Sequence, residues 1–336
     1  MLEFYTNLFT NPWLCWILLI VWFVLLVKGA GLLVDGSGSI ATKYGISQLV
    51  IWLTVVAFGT SMPELVVNVV AAMKWDPDTL SIAVSGILGS NLSNILLILW
   101  VTAAIYPLKM VSSTVYREIP FSLLAILVLF LLMSDQFING WAMTESILFK
   151  NEALVMLGIF VIFLYYTYYL AKSGKVKLET SLKLLSMPKS VILIFLWLLG
   201  LVAWGNLVIS SAVSIAESIG MSPAIIGLTI VALGTSLPEL ATSIVAAYRK
   251  SADMAVWNIV WSNIFNIVWI LWVTWVISDL PTYDWFYKDI AITIFATILL
   301  FVLSHTGKKF IITRPEWIIM ATMYVSYIFY VVVTNI

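Results

Sequence analysis

The sequence predicts an all-α polytopic membrane protein of ten transmembrane helices, arranged as two inverted five-helix repeats that each contain a broken helix. Three observations carry this prediction. Of the 336 residues, 62% are hydrophobic and only 10% charged, against about 25% charged in soluble domains. The basic residues fall almost entirely into alternate loops. A segment of 20 residues near the start of the chain occurs again 175 positions later.

A soluble fold of this length has too little interior to hide so much apolar surface, so the composition points to a bilayer. The formal net charge is zero, which gives no reason to expect a nucleic-acid partner. There is one cysteine, Cys15, and one histidine, His305. A disulfide framework and a Cys/His zinc site are therefore excluded, and a bound metal is expected to be a hard cation held by oxygen. The first residues, MLEFYTNLFTNPW, lack the positive region of a secretory signal, so the first apolar segment reads as a permanent span.

A span needs about 20 mostly apolar residues. Ten segments qualify: 13–34, 48–73, 80–106, 119–134, 152–171, 189–216, 223–248, 253–278, 288–305 and 315–334, the fourth being short. Numbering loops by the spans they join, the 1–2, 3–4, 5–6, 7–8 and 9–10 loops hold 13 Lys and Arg, and the other side holds Lys74, Lys150 and Lys288. By the positive-inside rule the first set is cytoplasmic and both termini are outside. A missed span would scramble that asymmetry. Residues 1–171 form the first five-helix repeat, 172–188 a basic cytoplasmic linker and 189–336 the second repeat. The linker's lysines set topology and contact anionic lipid.

The duplicated segment is LTVVAFGTSMPELVVNVVAA at 53–72 and LTIVALGTSLPELATSIVAA at 228–247, identical at 13 of 20 positions. After a gap of three residues, GSNLSNILLILWVT at 89–102 matches WSNIFNIVWILWVT at 261–274. Five spans per half is an odd number, so equivalent helices run in opposite directions. Inverted repeats of this kind build secondary transporters, with the site at the midplane between the halves.

Glu64 and Glu239 lie deep within apolar spans at equivalent repeat positions. An ionisable group at that depth persists only beside a cavity, a partner or a cation. Gly59 and Pro63 interrupt one span, and Gly234 and Pro238 the other; proline removes a helix donor and clashes with the preceding turn. Breaks near GTS would free the carbonyls of Ala57 and Ala232 and create new helix N-termini beside the glutamates. Thr60, Ser61, Thr235 and Ser236 add hydroxyls. Asn94 and Asn266 add amide carbonyls, with Ser90 and Ser262 one turn earlier. Two carboxylates among many neutral oxygens suit calcium, which takes six to eight oxygen ligands, and sodium. Two other readings stay open at this point. Ser61-x-x-Glu64 and Ser236-x-x-Glu239 fit a capping box, and the asparagines fit interhelical hydrogen bonding.

The paired motifs GTSMPE with GSNLSN and GTSLPE with WSNIFN resemble the two alpha-repeats of the sodium/calcium exchanger branch of the cation/calcium exchanger superfamily. The resemblance covers both repeats and the ten-span plan. It implies a secondary antiporter of the plasma or inner membrane that exchanges sodium for calcium by alternating access. It makes Glu64 and Glu239 the acidic ligands, with Thr60, Ser61, Ser90, Asn94, Thr235, Ser236, Ser262 and Asn266 around them. The first and sixth spans would be the sliding gate. No cofactor and no obligate protein partner are expected; the partners are the calcium and sodium ions and the lipid bilayer. Some members carry aspartate where this chain has Asn266, which argues against potassium dependence here. A calcium/proton antiporter and a transport-inactive homologue are the alternatives. An intramembrane hydrolase is disfavoured, because neither glutamate has a histidine partner.

Sixteen tryptophans are many for this length, and three stand opposite glycine across the repeat: Trp52 against Gly227, Trp204 against Gly29, and Trp261 against Gly89. The resembling family often has glycine at such positions, and also where Trp100, Trp257 and Trp272 stand. Small residues let membrane helices approach closely. Translation of UGA as tryptophan, in a code that reads it as glycine, would leave this pattern; a divergent Trp-rich exchanger is the alternative. Trp13, Trp16 and Trp285, near span ends, read as interfacial anchors.

Overall fold

The computed structural model describes residues 56–134 except 75–76, 150–172, 185–197, 199, 223–280, 286–334 except 307, and helical residues between 32 and 44. The first predicted span apart from Leu32, the start of the second, nearly all of the sixth beyond 197 and most of the 172–188 linker lie outside these residues. So do Cys15, Trp13, Trp16, Trp52, Trp204 and Trp285.

In chain order the described elements are α1 (Ala57–Thr60), α2 (Met62–Lys74), α3 (Thr79–Ile105), β1 (Leu108–Lys109), α4 (Thr114–Leu132) and α5 (Lys150–Lys172). Then come α6 (Met187–Trp197), α7 (Gly227–Thr235), α8 (Leu237–Tyr248), α9 (Asp253–Ile277), α10 (Phe286–Leu303), β2 (Ile311–Ile312) and α11 (Arg314–Thr334). Among the described residues six helices are long and apolar enough to cross a membrane, and α7 with α8 make a seventh candidate, bent by 48° at Ser236.

Burial separates an inner layer from an outer one. The apolar window of α3 is 89% buried and that of α9 78%, whereas α5 and α11 are only 28% buried. The sequences explain the difference. Apart from large apolar residues, α3 carries glycine, serine and asparagine on all sides, which allows close packing all round. Helix α5 turns Leu154, Val161, Ile162, Tyr165, Tyr168 and Tyr169 outward, a surface suited to lipid with aromatics toward one end. The core between them is continuous, running from Leu88, Leu92 and Leu96 of α3 to Ile264, Ile267 and Leu271 of α9.

The repeat recurs in local detail. Each inner helix widens to a π-turn after its second motif, at Ser93–Ile98 in α3 and Asn266–Ile270 in α9. Each then ends on an extended residue, Tyr106 (φ −146°, ψ 134°) and Ser278 (φ −141°, ψ 143°). Thr102 and Thr274, four residues earlier, bond back to Ile98 and Ile270 at 2.6 and 2.7 Å.

The fourth span starts five residues before its expected position at 119. Thr114–Glu118 winds as a π-turn directly before Pro120, and the wider turn accommodates a residue with no N–H to give. Thr114 and Glu118 of this turn are buried: Trp257 donates to Thr114, and Tyr166 donates to Glu118 Oε1. The ninth span begins two residues early, at Phe286, and ends at Leu303.

Contacts bring the basic loops onto one face. The two-residue strands β1 and β2 pair antiparallel, Leu108 with Ile312, joining the 3–4 and 9–10 loops. The Leu185 N–H donates to Ser39 Oγ at 2.9 Å, joining the 1–2 and 5–6 loops. Arg249 pairs with Asp35 at 2.5 Å, joining the 1–2 and 7–8 loops. Lys109 is near enough to Asp253 to act on its charge, joining the 3–4 and 7–8 loops.

Candidate functional site

The two breaks put the chemistry at the centre. Helix α1 ends at Thr60, Ser61 turns the chain (φ −84°, ψ 6°), and α2 starts at Met62. Helix α7 ends at Thr235, Ser236 turns it (φ −81°, ψ −1°), and α8 starts at Leu237. Pro63 and Pro238 fall in the first turns of α2 and α8, where the missing N–H has no intrahelical partner to lose. Glu64 and Glu239 follow at once, in the positive end of each new helix. Both are buried, 1% and 0% exposed.

The glutamates are held across the repeat boundary. Ser61 Oγ, from the first repeat, donates to Glu239 Oε1 at 3.2 Å, and Ser262 Oγ donates to the same oxygen at 3.2 Å. Thr60 is a further hydrogen-bond partner of Glu239. In the mirror arrangement Ser90 Oγ donates to Glu64 Oε1 at 3.0 Å, and Thr235 is a further partner of Glu64. Ser236 completes this half by meeting Ser90 Oγ at 2.8 Å. Glu239 lies close enough for its charge to act on Glu64. Ser236 makes no capping hydrogen bond to its own helix, so the capping-box reading fails there.

The asparagines form the interhelical hydrogen bonds expected of them. Asn94 Nδ2 donates to Asn263 Oδ1 at 2.9 Å, and Asn266 Nδ2 donates to Asn91 Oδ1 at 2.9 Å. Asn91 and Asn263 each donate to the other's backbone carbonyl, at 3.2 and 3.1 Å. These four amides fasten α3 to α9 through their nitrogens. Asn94 and Asn266 are left with buried Oδ1 atoms that have no partner, as have Glu64 Oε2 and Glu239 Oε2. Four unsatisfied oxygens, two from each repeat, are what a desolvated cation would complete.

The Ala57 carbonyl accepts from Thr60 Oγ1 and from the Ser61 N–H, both at 3.2 Å. The Ala232 carbonyl accepts from Thr235 Oγ1 at 3.4 Å and from the Ser236 N–H at 3.1 Å. Both carbonyls are thus occupied within their own turns. Among the described residues no group of three or more His, Cys, Asp or Glu gathers to hold a metal, so any ion here depends on neutral oxygens as well as the two acids.

Sequence reasoning passed over Asn258 and Thr242. Asn258 Nδ2 donates to Thr242 Oγ1 at 3.0 Å, and Thr60 Oγ1 lies 3.5 Å from Asn258 Oδ1. The available signal was the spacing of Asn258, four residues before Ser262 on the same helical face.

The family model described as sodium/calcium exchanger protein matches residues 14–169 and again 189–334. The putative antiporter CaxA of Alkalimonas amylolytica is 36% identical over 323 residues, 93% of this chain and 96% of that protein. The inner membrane protein YrbG of Escherichia coli is 34% identical over 270 residues, covering 78% and 79%. The sodium/calcium exchanger MaX1 of Methanosarcina acetivorans is 28% identical over 346 aligned positions, covering 93% and 97%. A solved structure of the sodium-calcium exchanger NCX_Mj, soaked with sodium and strontium, superposes with a TM-score of 0.70 at 29% identity, covering 93% of this chain and 98% of that one. This membrane protein, a transporter rather than an enzyme, belongs to the sodium/calcium exchanger family.

Proposed function

We propose that this chain exchanges sodium for calcium across the plasma or inner membrane by alternating access. One observation carries the reading: Glu64, Glu239, Asn94 and Asn266 each present a buried oxygen without a partner, and hydrogen bonds around them, from Ser61 to Glu239, Asn94 to Asn263 and Asn266 to Asn91, join the two repeats. Thr60, Ser61, Ser90, Thr235, Ser236 and Ser262 surround that centre, and the carbonyls of Ala57 and Ala232 complete the ligand set when their turns open. Two carboxylates balance one calcium ion. Sodium ions taking the same oxygens compete with it, which is the basis of exchange.

The plan of ten spans in two inverted repeats is part of the proposal, with both termini outside. It is supported by the duplicated motifs, by the matched ends of α3 and α9, and by contacts linking the five basic loops on one face. Asn266 in place of an acid supports exchange without potassium.

The test is calcium uptake into proteoliposomes driven by an outward sodium gradient, comparing the parent with Glu64→Gln and Glu239→Gln. Each substitution is expected to abolish uptake, and full activity in either would remove the site. A second reading keeps the site and changes the driving ion, because the relative CaxA is described only as a putative antiporter. Uptake driven by a proton gradient, and not by sodium, would favour it.

A further inference from the structure

Two helix crossings that the repeat makes equivalent are built differently. In the first, α3 lies against α7 with backbone on backbone. A Cβ added at Gly89 would overlap the Leu228 carbonyl oxygen and sit 2.7 Å from Ala232 Cβ. A Cβ added at Gly227 would overlap Ser85 Oγ and the Ile82 carbonyl oxygen. Neither position admits any side chain, and Ala232, Ser236 and Ser90 of the site stand within this crossing. The repeat maps Gly89 onto Trp261 and Gly227 onto Trp52. In the sequence, the second repeat pairing therefore has tryptophan at both positions where the first crossing has glycine. Trp204 opposite Gly29 shows the same exchange. Tryptophan is in the first half at one pair and in the second half at two.

The structure shows what an indole does at this place. Trp261 is 3% exposed, next in sequence to Ser262, and its Nε1 has no partner. Its ring lies 4.2 Å from that of Phe163 in α5. A cavity of about 280 Å³ opens beside it, lined among others by Ala57, Phe58, Phe163 and Trp269. One turn earlier Trp257, whose repeat equivalent is the small Ser85, is 1% exposed and donates to the Thr114 hydroxyl. Farther along the same helix Trp269 and Trp272 also bury indole nitrogens without acceptors, as does Trp100, the repeat equivalent of Trp272. A buried indole N–H ordinarily finds an acceptor. Tightly crossed membrane helices use glycine, alanine and serine at the contact.

We infer that Trp52, Trp204 and Trp261 are glycine in the protein as its own cell makes it, and that Trp257 belongs with them. The gene carries UGA at these positions, and the source cell reads UGA as glycine. A single codon reading then accounts for tryptophan alone replacing glycine at scattered positions in both halves. It also restores to the second crossing the glycines on which the first depends. The inference rests on the repeat and the packing, not on which ions are exchanged.

The decisive measurement is peptide mass spectrometry of the protein purified from its own membranes, read with the gene sequence. UGA codons with glycine in the peptides spanning 52, 204, 257 and 261 are expected. UGG codons, or tryptophan in those peptides, would overturn the inference. Independently, the chain carrying Trp52→Gly, Trp204→Gly, Trp257→Gly and Trp261→Gly together, made in a standard-code host, should elute as a sharper monodisperse peak and melt at a higher temperature in detergent than the tryptophan form. A lower melting temperature would count against it, whatever either form transports.

Discussion

Ser61 reaches from the break in the first repeat to Glu239 in the second, donating a hydrogen bond of 3.2 Å to its Oε1. This cross-bond makes each glutamate depend on hydroxyls from the opposite half. Removing the Ser61 hydroxyl leaves a buried carboxylate oxygen with one donor fewer. Bonds to charged groups are worth about 1.5–3 kcal/mol. Ser61→Ala should therefore weaken calcium binding by about tenfold or more, since each 1.4 kcal/mol is a factor of ten. Titration calorimetry of the purified protein checks this, and unchanged affinity would show that Ser61 only shapes the turn.

The amide quartet makes a separate prediction about stability. Asn263 accepts from Asn94 and donates to the Asn91 carbonyl, so Asn263→Ala leaves two buried groups unpaired. A cost of about 1–3 kcal/mol per unsatisfied group should appear as a marked fall in melting temperature in detergent. Combining Asn263→Ala with Asn94→Ala should cost less than the sum of the single changes, because the shared bond is lost only once.

Asp35 and Arg249 form two hydrogen bonds, at 2.5 and 3.1 Å, between the end of the first span and the turn after α8. Gly36 beside Asp35 lies against Ser190 and Ile194 of α6. The pair thus ties the proposed sliding gate to α8, which carries Glu239 of the proposed ion site. Asp35→Asn and Arg249→Gln should each raise the reactivity of a cysteine placed at Ser190 toward a thiol reagent applied from that face. The swap Asp35→Arg with Arg249→Asp should bring it back down. Equal reactivity in all four proteins would mean that the pair does not hold the gate.

Arg249 is presented by a Schellman turn. The Ser251 N–H bonds to the Ala246 carbonyl at 2.9 Å, and the Lys250 N–H to Ala247 at 2.9 Å. Lys250 takes φ 60°, the left-handed conformation that costs a residue with a Cβ about 1–2 kcal/mol. Lys250→Gly should stabilise the protein by up to about 1 kcal/mol, read as a small rise in melting temperature with transport intact. A fall would mean that the lysine side chain contributes more than the turn strain removes.

Much of the site was legible because chemistry and depth coincide in the chain. Glu64 and Glu239 stand out as acids within apolar runs, and Pro63 and Pro238 each stand two residues after the turn at Ser61 and Ser236. The partner of each glutamate was not legible. A hydrogen bond from Ser61 to a residue 178 positions away leaves no trace in local periodicity. The division within Asn94 and Asn266, nitrogen bonded to the neighbouring helix and oxygen left buried without a partner, required coordinates as well. The two-residue strands were invisible for a related reason: Leu108–Lys109 and Ile311–Ile312 are too short for any alternating pattern, and their pairing is long-range. The early start of α4 escaped notice because Thr114 and Glu118 look like loop residues until their buried partners are seen.

That short ladder has a mechanical consequence. It stitches the rim of one half to the rim of the other by main-chain bonds, which need no particular side chain and tolerate no slippage. On the proposed alternating-access reading, this main-chain tie would make α3, α4, α10 and α11 the stationary part against which the remaining helices slide.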